Sequence, residues 1–229
     1  MQVIAMHGWC GDSRSWAPWE QAAQRLGWAW HSGERGYGSL TPQTPAWQPG
    51  LGTRVVIAHS LGPHLLEREL LAAADAIVLL ASFGRFVPPG AAGRGLRTGL
   101  KGMAAELAGP DSRAILTSFM ARAAAPQSGE LIAASVLDTS LKPQGVQRLR
   151  DDLELLSQTT GLPAGFPGSA RVLLVQAGAD QIVVPEARLD LQELLPGADL
   201  LTLAQAGHAL LATPVVAMVL AWLSQANDA

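Results

Sequence analysis

Short apolar runs alternate with segments of helical spacing along this chain, and that alternation defines its expected architecture. Residues 3–6 form an apolar run that ends at His7-Gly8, which predicts a buried strand feeding a loop. Residues 16–26 have helical spacing, with Pro18 tolerable in a first turn. Residues 28–31 read as a short strand, and 34–52 as a loop broken by Pro42, Pro45 and Pro49. A β-branched strand follows at 54–58, then a helix from Ser60 through Leu71, then a strand at 76–80. Pro88-Pro89-Gly90 opens a stretch running to about Pro167 that is helical in pattern and lacks any β-branched run. Strand spacing returns at 171–176 and 200–203, helical spacing at 186–195 and 213–223. The expected fold is α/β: a mostly parallel sheet flanked by helices, with an inserted helical cap. Residues 1–84 and 168–229 would form the core, and residues 85–167 the cap.

Composition narrows the class. Hydrophobic residues make up 48% and charged residues 15%, which excludes a disordered chain. No apolar run approaches the ~18 residues of a membrane span. The N-terminus has no basic segment and no cleavage site, so the expectation is a cytoplasmic protein without a signal peptide. Cys10 is the single cysteine, so no internal disulfide and no four-cysteine metal site can form. No metal or other cofactor is implied, and a monomer is expected. The net charge of −3 argues against nucleic-acid binding. Its distribution says more: residues 85–150 carry nine basic side chains against four acidic ones, leaving the acidic excess elsewhere. Such a basic middle suits an acidic partner; ordinary exposed arginines on surface helices are the other reading.

The chemistry centres on Ala58-His59-Ser60-Leu61-Gly62, between a predicted strand and helix. It has the form of a nucleophile elbow with Ala in the first small position, a turn that projects the serine hydroxyl at the sheet's edge. A serine needs a base, and a base needs an orienting acid. Of the histidines, only His208 follows a late strand and precedes the last helix. Asp180 lies in Gly178-Ala179-Asp180 directly after the strand at 171–176; Asp190 and Asp199 compete for its role. Oxyanion donors would be the backbone N–H groups of Leu61 and Trp9. His7 is read as a brace of that loop rather than a catalyst, and Cys10 as packing. Trp9 is expected to line the substrate pocket.

These residues resemble the α/β-hydrolase superfamily over essentially the whole chain. More narrowly, His7-Gly8-Trp9, Ser60-Leu61-Gly62, Leu80-Ala81-Ser82 and the helical insertion resemble the pimeloyl-[acyl-carrier protein] methyl ester esterases of biotin synthesis. The resemblance implies that Phe119, Met120, Ala121, Arg122 and Ala123 line an acyl channel. It also implies that Arg113 and Arg122, with Arg94 and Arg97, hold an acidic acyl-carrier protein. The sequence departs from that family at Ala58-His59, which stands where Gly-Trp is frequent, and at Pro63. It also begins at the strand before His7, without the usual leading antiparallel strands, as a trimmed branch would. A carboxylesterase for small free esters and a catalytically silent binding protein of the same fold are the alternatives.

Overall fold

The computed structural model describes residues 1–50, 52–132, 136–210 and 215–225. Six strands form one sheet: β1 (Gln2–Met6), β2 (Ala29–Gly33), β3 (Arg54–His59), β4 (Ala76–Leu80), β5 (Arg171–Ala177) and β6 (Asp199–Leu203). Their order is β2-β1-β3-β4-β5-β6, and every neighbouring pair is parallel. The chain first steps outward from β1 to β2, then reverses past β1 to β3. That reversal is a topological switch point, and it opens a crevice between the C-terminal ends of β1 and β3.

A parallel strand covered on both faces reads as an unbroken apolar run, which is why the inner strands β1, β3, β4 and β5 are legible. All of β1 and β4 is buried. Val3, Ala5, Val55, Ile57 and Val78 face one layer, built from α1 (Ala17–Arg25) and α7 (Val215–Ser224). Ile4, Val56, Ile77 and Leu174 face the other, which holds Leu70 and Leu71 of α2 (Arg68–Ala72) and Leu191 of α6 (Pro185–Leu194). Residues 213 and 214 of the last predicted helix lie outside the described residues, and α7 starts at Val215.

Two predicted helices differ in detail. The helix expected from residue 16 begins as a 3-10 turn at Ser13–Trp16, capped by the Asp12 carboxylate, before α1 starts. The continuous helix expected from Ser60 to Leu71 does not form. A 3-10 turn covers Gly62–Leu65, Leu66 is extended (φ −86°, ψ 147°), and α2 starts at Arg68. The break sends two adjacent leucines to different places. Leu65 packs with the cluster above the sheet, and Leu66 with the layer beneath it.

Between β4 and β5 lie α3 (Arg94–Leu107), α4 (Ser112–Ala124) and α5 (Pro143–Gln158), with short 3-10 turns between the last two. Leu149, Leu153 and Leu156 recur at helical spacing on α5 and are buried. They join Trp9, Tyr37, Leu61 and Phe83 in a third apolar cluster. Each such leucine contributes ~2 kcal/mol relative to exposure. This cluster seats the helices over the sheet's C-terminal edge.

One buried charge also fixes the seating. Asp152 of α5 is 1% exposed. It accepts two bonds from the Arg35 guanidinium (2.7 Å each) and one from the Tyr37 hydroxyl (2.6 Å). Both partners sit in the loop after β2, more than a hundred residues away. Removing one side of such a pair leaves the other desolvated and unmet. Asp152→Ala should therefore lower the unfolding free energy by about 3 kcal/mol, read from the urea midpoint.

Candidate active site

The loops after β1, β3, β5 and β6 converge at the switch point. Among the described residues, positive φ outside glycine occurs at Cys10 (60°), Ser60 (54°), Ala81 (45°) and Leu210 (51°). All four follow the C-terminal end of a strand. Such a backbone costs ~1–3 kcal/mol per residue and persists only where the surroundings over-determine it.

At Ser60 the surroundings can be named. Its N–H donates to the Leu80 carbonyl (2.8 Å), and its carbonyl accepts from the Ser82 hydroxyl (2.7 Å). The turn is also gripped from the β1 side. A Cβ on Gly8 would fall 2.7 Å from Ser60 Cβ, and one on Gly62 would fall 2.4 Å from the Met6 carbonyl. Both glycines are therefore close-approach positions.

Ser60, His208 and Asp180 lie in one hydrogen-bonded line. His208 Nδ1 is 2.8 Å from Asp180 Oδ2, and His208 Nε2 is 3.0 Å from Ser60 Oγ. Asp180 Oδ1 accepts from the N–H groups of Ile182 (2.7 Å) and Val183 (2.9 Å). Burial alone would raise the Asp180 carboxyl. The His208 bond and the two backbone donors outweigh it and hold the group below its usual range. The carboxylate thus keeps the His208 proton on Nδ1, and Nε2 is free to accept from the serine hydroxyl. The competing carboxylates sit elsewhere: Asp190 on α6, and Asp199 on β6, where it accepts from Trp222 Nε1 (2.8 Å).

Two backbone donors flank Ser60. Among the described residues, neither the Trp9 N–H nor the Leu61 N–H has a hydrogen-bond acceptor. Trp9 is held by its indole, which donates to the Leu149 carbonyl (2.8 Å) and meets Phe119 edge-on at 4.7 Å. His7 braces the same loop, with Nδ1 on the Gly8 carbonyl (2.9 Å) and Nε2 accepting from the Arg35 N–H (3.1 Å). Cys10 is fully buried, and desolvation pushes its thiol far up, so it supplies no thiolate.

A cavity of about 470 Å³ adjoins His208, His59 and Trp9. Its α4 wall is Phe119, Met120 and Ala123; Ala121 and Arg122 point outward from the exposed face of that helix. Helical spacing separates them: the channel set read as one run divides between two faces. Of the four arginines, Arg94, Arg113 and Arg122 are exposed and Arg97 is half-buried. Arg97 donates to the carbonyls of Pro88 and Gly90, Arg113 to that of Leu137 and Arg122 to that of Gln181.

Three contributors were given no role of their own by the sequence. His59 places Nε2 2.9 Å from the His208 carbonyl; burial first, then His208 itself, pushes its imidazole down to about 4, so it donates as a neutral ring. Ser82 holds the elbow carbonyl. Gln127, just after α4, clamps the His208 loop. Its amide accepts from the Gly207 N–H (3.0 Å) and donates to the Gln205 carbonyl (2.7 Å), beside an Ala209 N–H to Ala123 carbonyl bond (2.8 Å).

No known family model matches the sequence, and no curated protein sequence matches it. Solved structures do match its shape. An esterase from Exiguobacterium antarcticum aligns over 98% of this chain and 92% of its own, at 13% identity and a TM-score of 0.78. A hydrolase from Oleispira antarctica aligns over 98% and 91%, at 14% identity and 0.73. An enol-lactonase from Burkholderia xenovorans aligns over 97% and 91%, at 14% identity and 0.70. The fold is that of the α/β-hydrolases. In the α/β-hydrolase fold the site belongs at the C-terminal sheet edge, where the Ser60 turn stands.

Gln127→Ala should speed hydrogen exchange at the Gly207 amide and lower stability by about 1 kcal/mol, because two backbone groups of the His208 loop lose their partner. Unchanged exchange at Gly207 would show that the clamp does not hold the loop.

Proposed function

We propose that this protein is a serine hydrolase of carboxylic esters. The observation that carries this reading is the Asp180–His208–Ser60 line beside two backbone N–H groups that have no partner among the described residues. In the proposed reaction Ser60 Oγ attacks the ester carbonyl carbon as its proton passes to His208 Nε2. Asp180 stabilises the imidazolium. The carbonyl oxygen becomes an oxyanion that accepts from the Trp9 and Leu61 N–H groups, preorganised donors worth several powers of ten in rate at such sites. Collapse expels the alcohol, which takes the proton from His208. A water then gives its proton to His208 and attacks the acyl-serine, and the carboxylic acid leaves as Ser60 recovers its hydrogen.

A finer reading names the substrate as the methyl ester of a pimeloyl group on acyl-carrier protein. Its support is the sequence resemblance and the charge of the insertion. Among the described residues none of Arg94, Arg97, Arg113 and Arg122 pairs with a carboxylate. Their charge is therefore available to an acidic partner. In this reading the carrier docks on α3 and α4, the chain threads inward, and reach rather than reactivity spares the thioester. The other reading, a carboxylesterase for small free esters, uses the same site without the arginines.

Two measurements test these statements. Ser60→Ala should lower kcat/KM on p-nitrophenyl acetate about 10⁴-fold or more, with the fold intact by circular dichroism. The double variant Arg94→Glu, Arg113→Glu should lower kcat/KM for carrier-bound pimeloyl methyl ester on the order of tenfold and spare p-nitrophenyl acetate. Arg122 is left in place because it holds the Gln181 carbonyl next to Asp180. Equal loss on both substrates would contradict the docking.

A further inference from the structure

We propose that His59, the residue before the nucleophile, acts in the second half of the reaction: its Nδ1 accepts a hydrogen bond from the water that attacks the acyl-serine. The inference rests on the serine-esterase reading and adds a catalytic residue to that site.

The ring has one fixed nitrogen and one open one. His59 Nε2 stands 2.9 Å from the His208 carbonyl, and a carbonyl can only accept, so Nε2 carries the proton. Burial first, then the His208 charge, pushes the imidazole down to about 4, so the ring is neutral and Nδ1 presents a lone pair. When His208 becomes an imidazolium, its ring 4.9 Å away keeps His59 neutral more firmly still. Nδ1 receives no hydrogen bond among the described residues. It is also not one of the shut-in, unpaired polar atoms, which among the described residues are Trp16 Nε1, Arg188 Nε and Asp190 Oδ2. His59 is half-buried and stands in the cavity wall, so Nδ1 keeps surface that a water can meet.

That lone pair borders the nucleophile. A Cβ on Gly8 would fall 2.7 Å from Ser60 Cβ and 3.3 Å from His59 Nδ1, so the bare glycine lets the two stand close together. Other polar side chains on the wall are committed. His7 is engaged by the Gly8 carbonyl and the Arg35 N–H, Asp12 by Arg14, and the Ser15 hydroxyl donates to the Asp12 carbonyl. A water that enters this mostly apolar and aromatic wall brings two hydrogens. One passes to His208 Nε2 as the water oxygen bonds to the acyl carbon. The other is a donor taken out of bulk water, which is costly without an acceptor. His59 Nδ1 meets it. No proton moves to His59: the second hydrogen stays on the attacking oxygen through the tetrahedral intermediate. As the bond from carbon to Ser60 Oγ breaks, Oγ takes the proton from His208, and the second hydrogen leaves as the O–H of the acid.

The test reads how the acyl-enzyme divides between water and methanol. Methanol also gives one hydrogen to His208, but it carries a methyl group in place of the second, so it gains nothing from His59. Wild type, His59→Phe and His59→Gln receive p-nitrophenyl butanoate in aqueous methanol, and methyl butanoate and butanoic acid are counted at early times. In His59→Phe the ratio of methyl ester to acid should rise about tenfold, the effect of one hydrogen bond. His59→Gln, whose amide both donates and accepts, should bring the ratio back toward wild type. An unchanged ratio in His59→Phe overturns the proposal, because a side chain that only positions His208 slows both reactions alike. A rise in His59→Gln as large as in His59→Phe overturns it as well. If circular dichroism shows that His59→Phe does not fold, His59→Leu supplies the same ratio. Failure of wild type to release p-nitrophenol removes the esterase reading, whereas release with an unchanged ratio removes only the His59 inference.

Discussion

The site depends on a left-handed backbone at Ser60. A serine at φ 54° is strained, and nothing in its own chemistry holds it there. The constraint comes from the two neighbouring strands. β4 accepts the Ser60 N–H at Leu80, the Ser82 hydroxyl clamps the Ser60 carbonyl, and β1 leaves room only for glycine at positions 8 and 62. The turn frees the Leu61 N–H and lifts Oγ to His208. Strain at Cys10, Ala81 and Leu210 falls on the same edge, so the sheet spends its stability where the loops converge. The switch point between β1 and β3 puts the Trp9 donor and the Ser60 turn side by side.

The helices above the sheet are part of the same construction. Asp152 ties α5 to the loop after β2 through Arg35 and Tyr37, and that loop in turn donates to His7 under the Trp9 turn. The end of α4 reaches both remaining loops: Arg122 to Gln181 beside Asp180, and Ala123 with Gln127 to the His208 loop. Each of the three proposed catalytic side chains therefore has its loop, or a loop that meets it, bonded to the insertion. The cover over this site positions the residues beneath it as well as shielding them.

Much of this was legible in the sequence. Strands buried on both faces leave apolar runs, and each was recognised to within a few residues. Ser60, Asp180 and His208 could be singled out because each directly follows a strand, and the order of strands dictates where their loops meet. What remained hidden has a common physical character. Asp152 with Arg35, Gln127 with Gly207 and His59 with the His208 carbonyl are polar ties between distant segments, and no local pattern encodes them. The broken helix after Ser60 arose from tertiary demand: Leu65 and Leu66 must fill different clusters. The run from Phe119 to Ala123 was read as one lining, whereas the period of α4 places only Phe119, Met120 and Ala123 on the cavity.

The central claim is that Ser60 is an activated nucleophile driven by His208. Reaction with a fluorophosphonate, followed by intact mass and peptide mapping, tests it directly. The account predicts one adduct per chain, located on Ser60, forming far more slowly in His208→Ala. An unreactive protein, or an adduct on Cys10 or another residue with Ser60 unmodified, would contradict it.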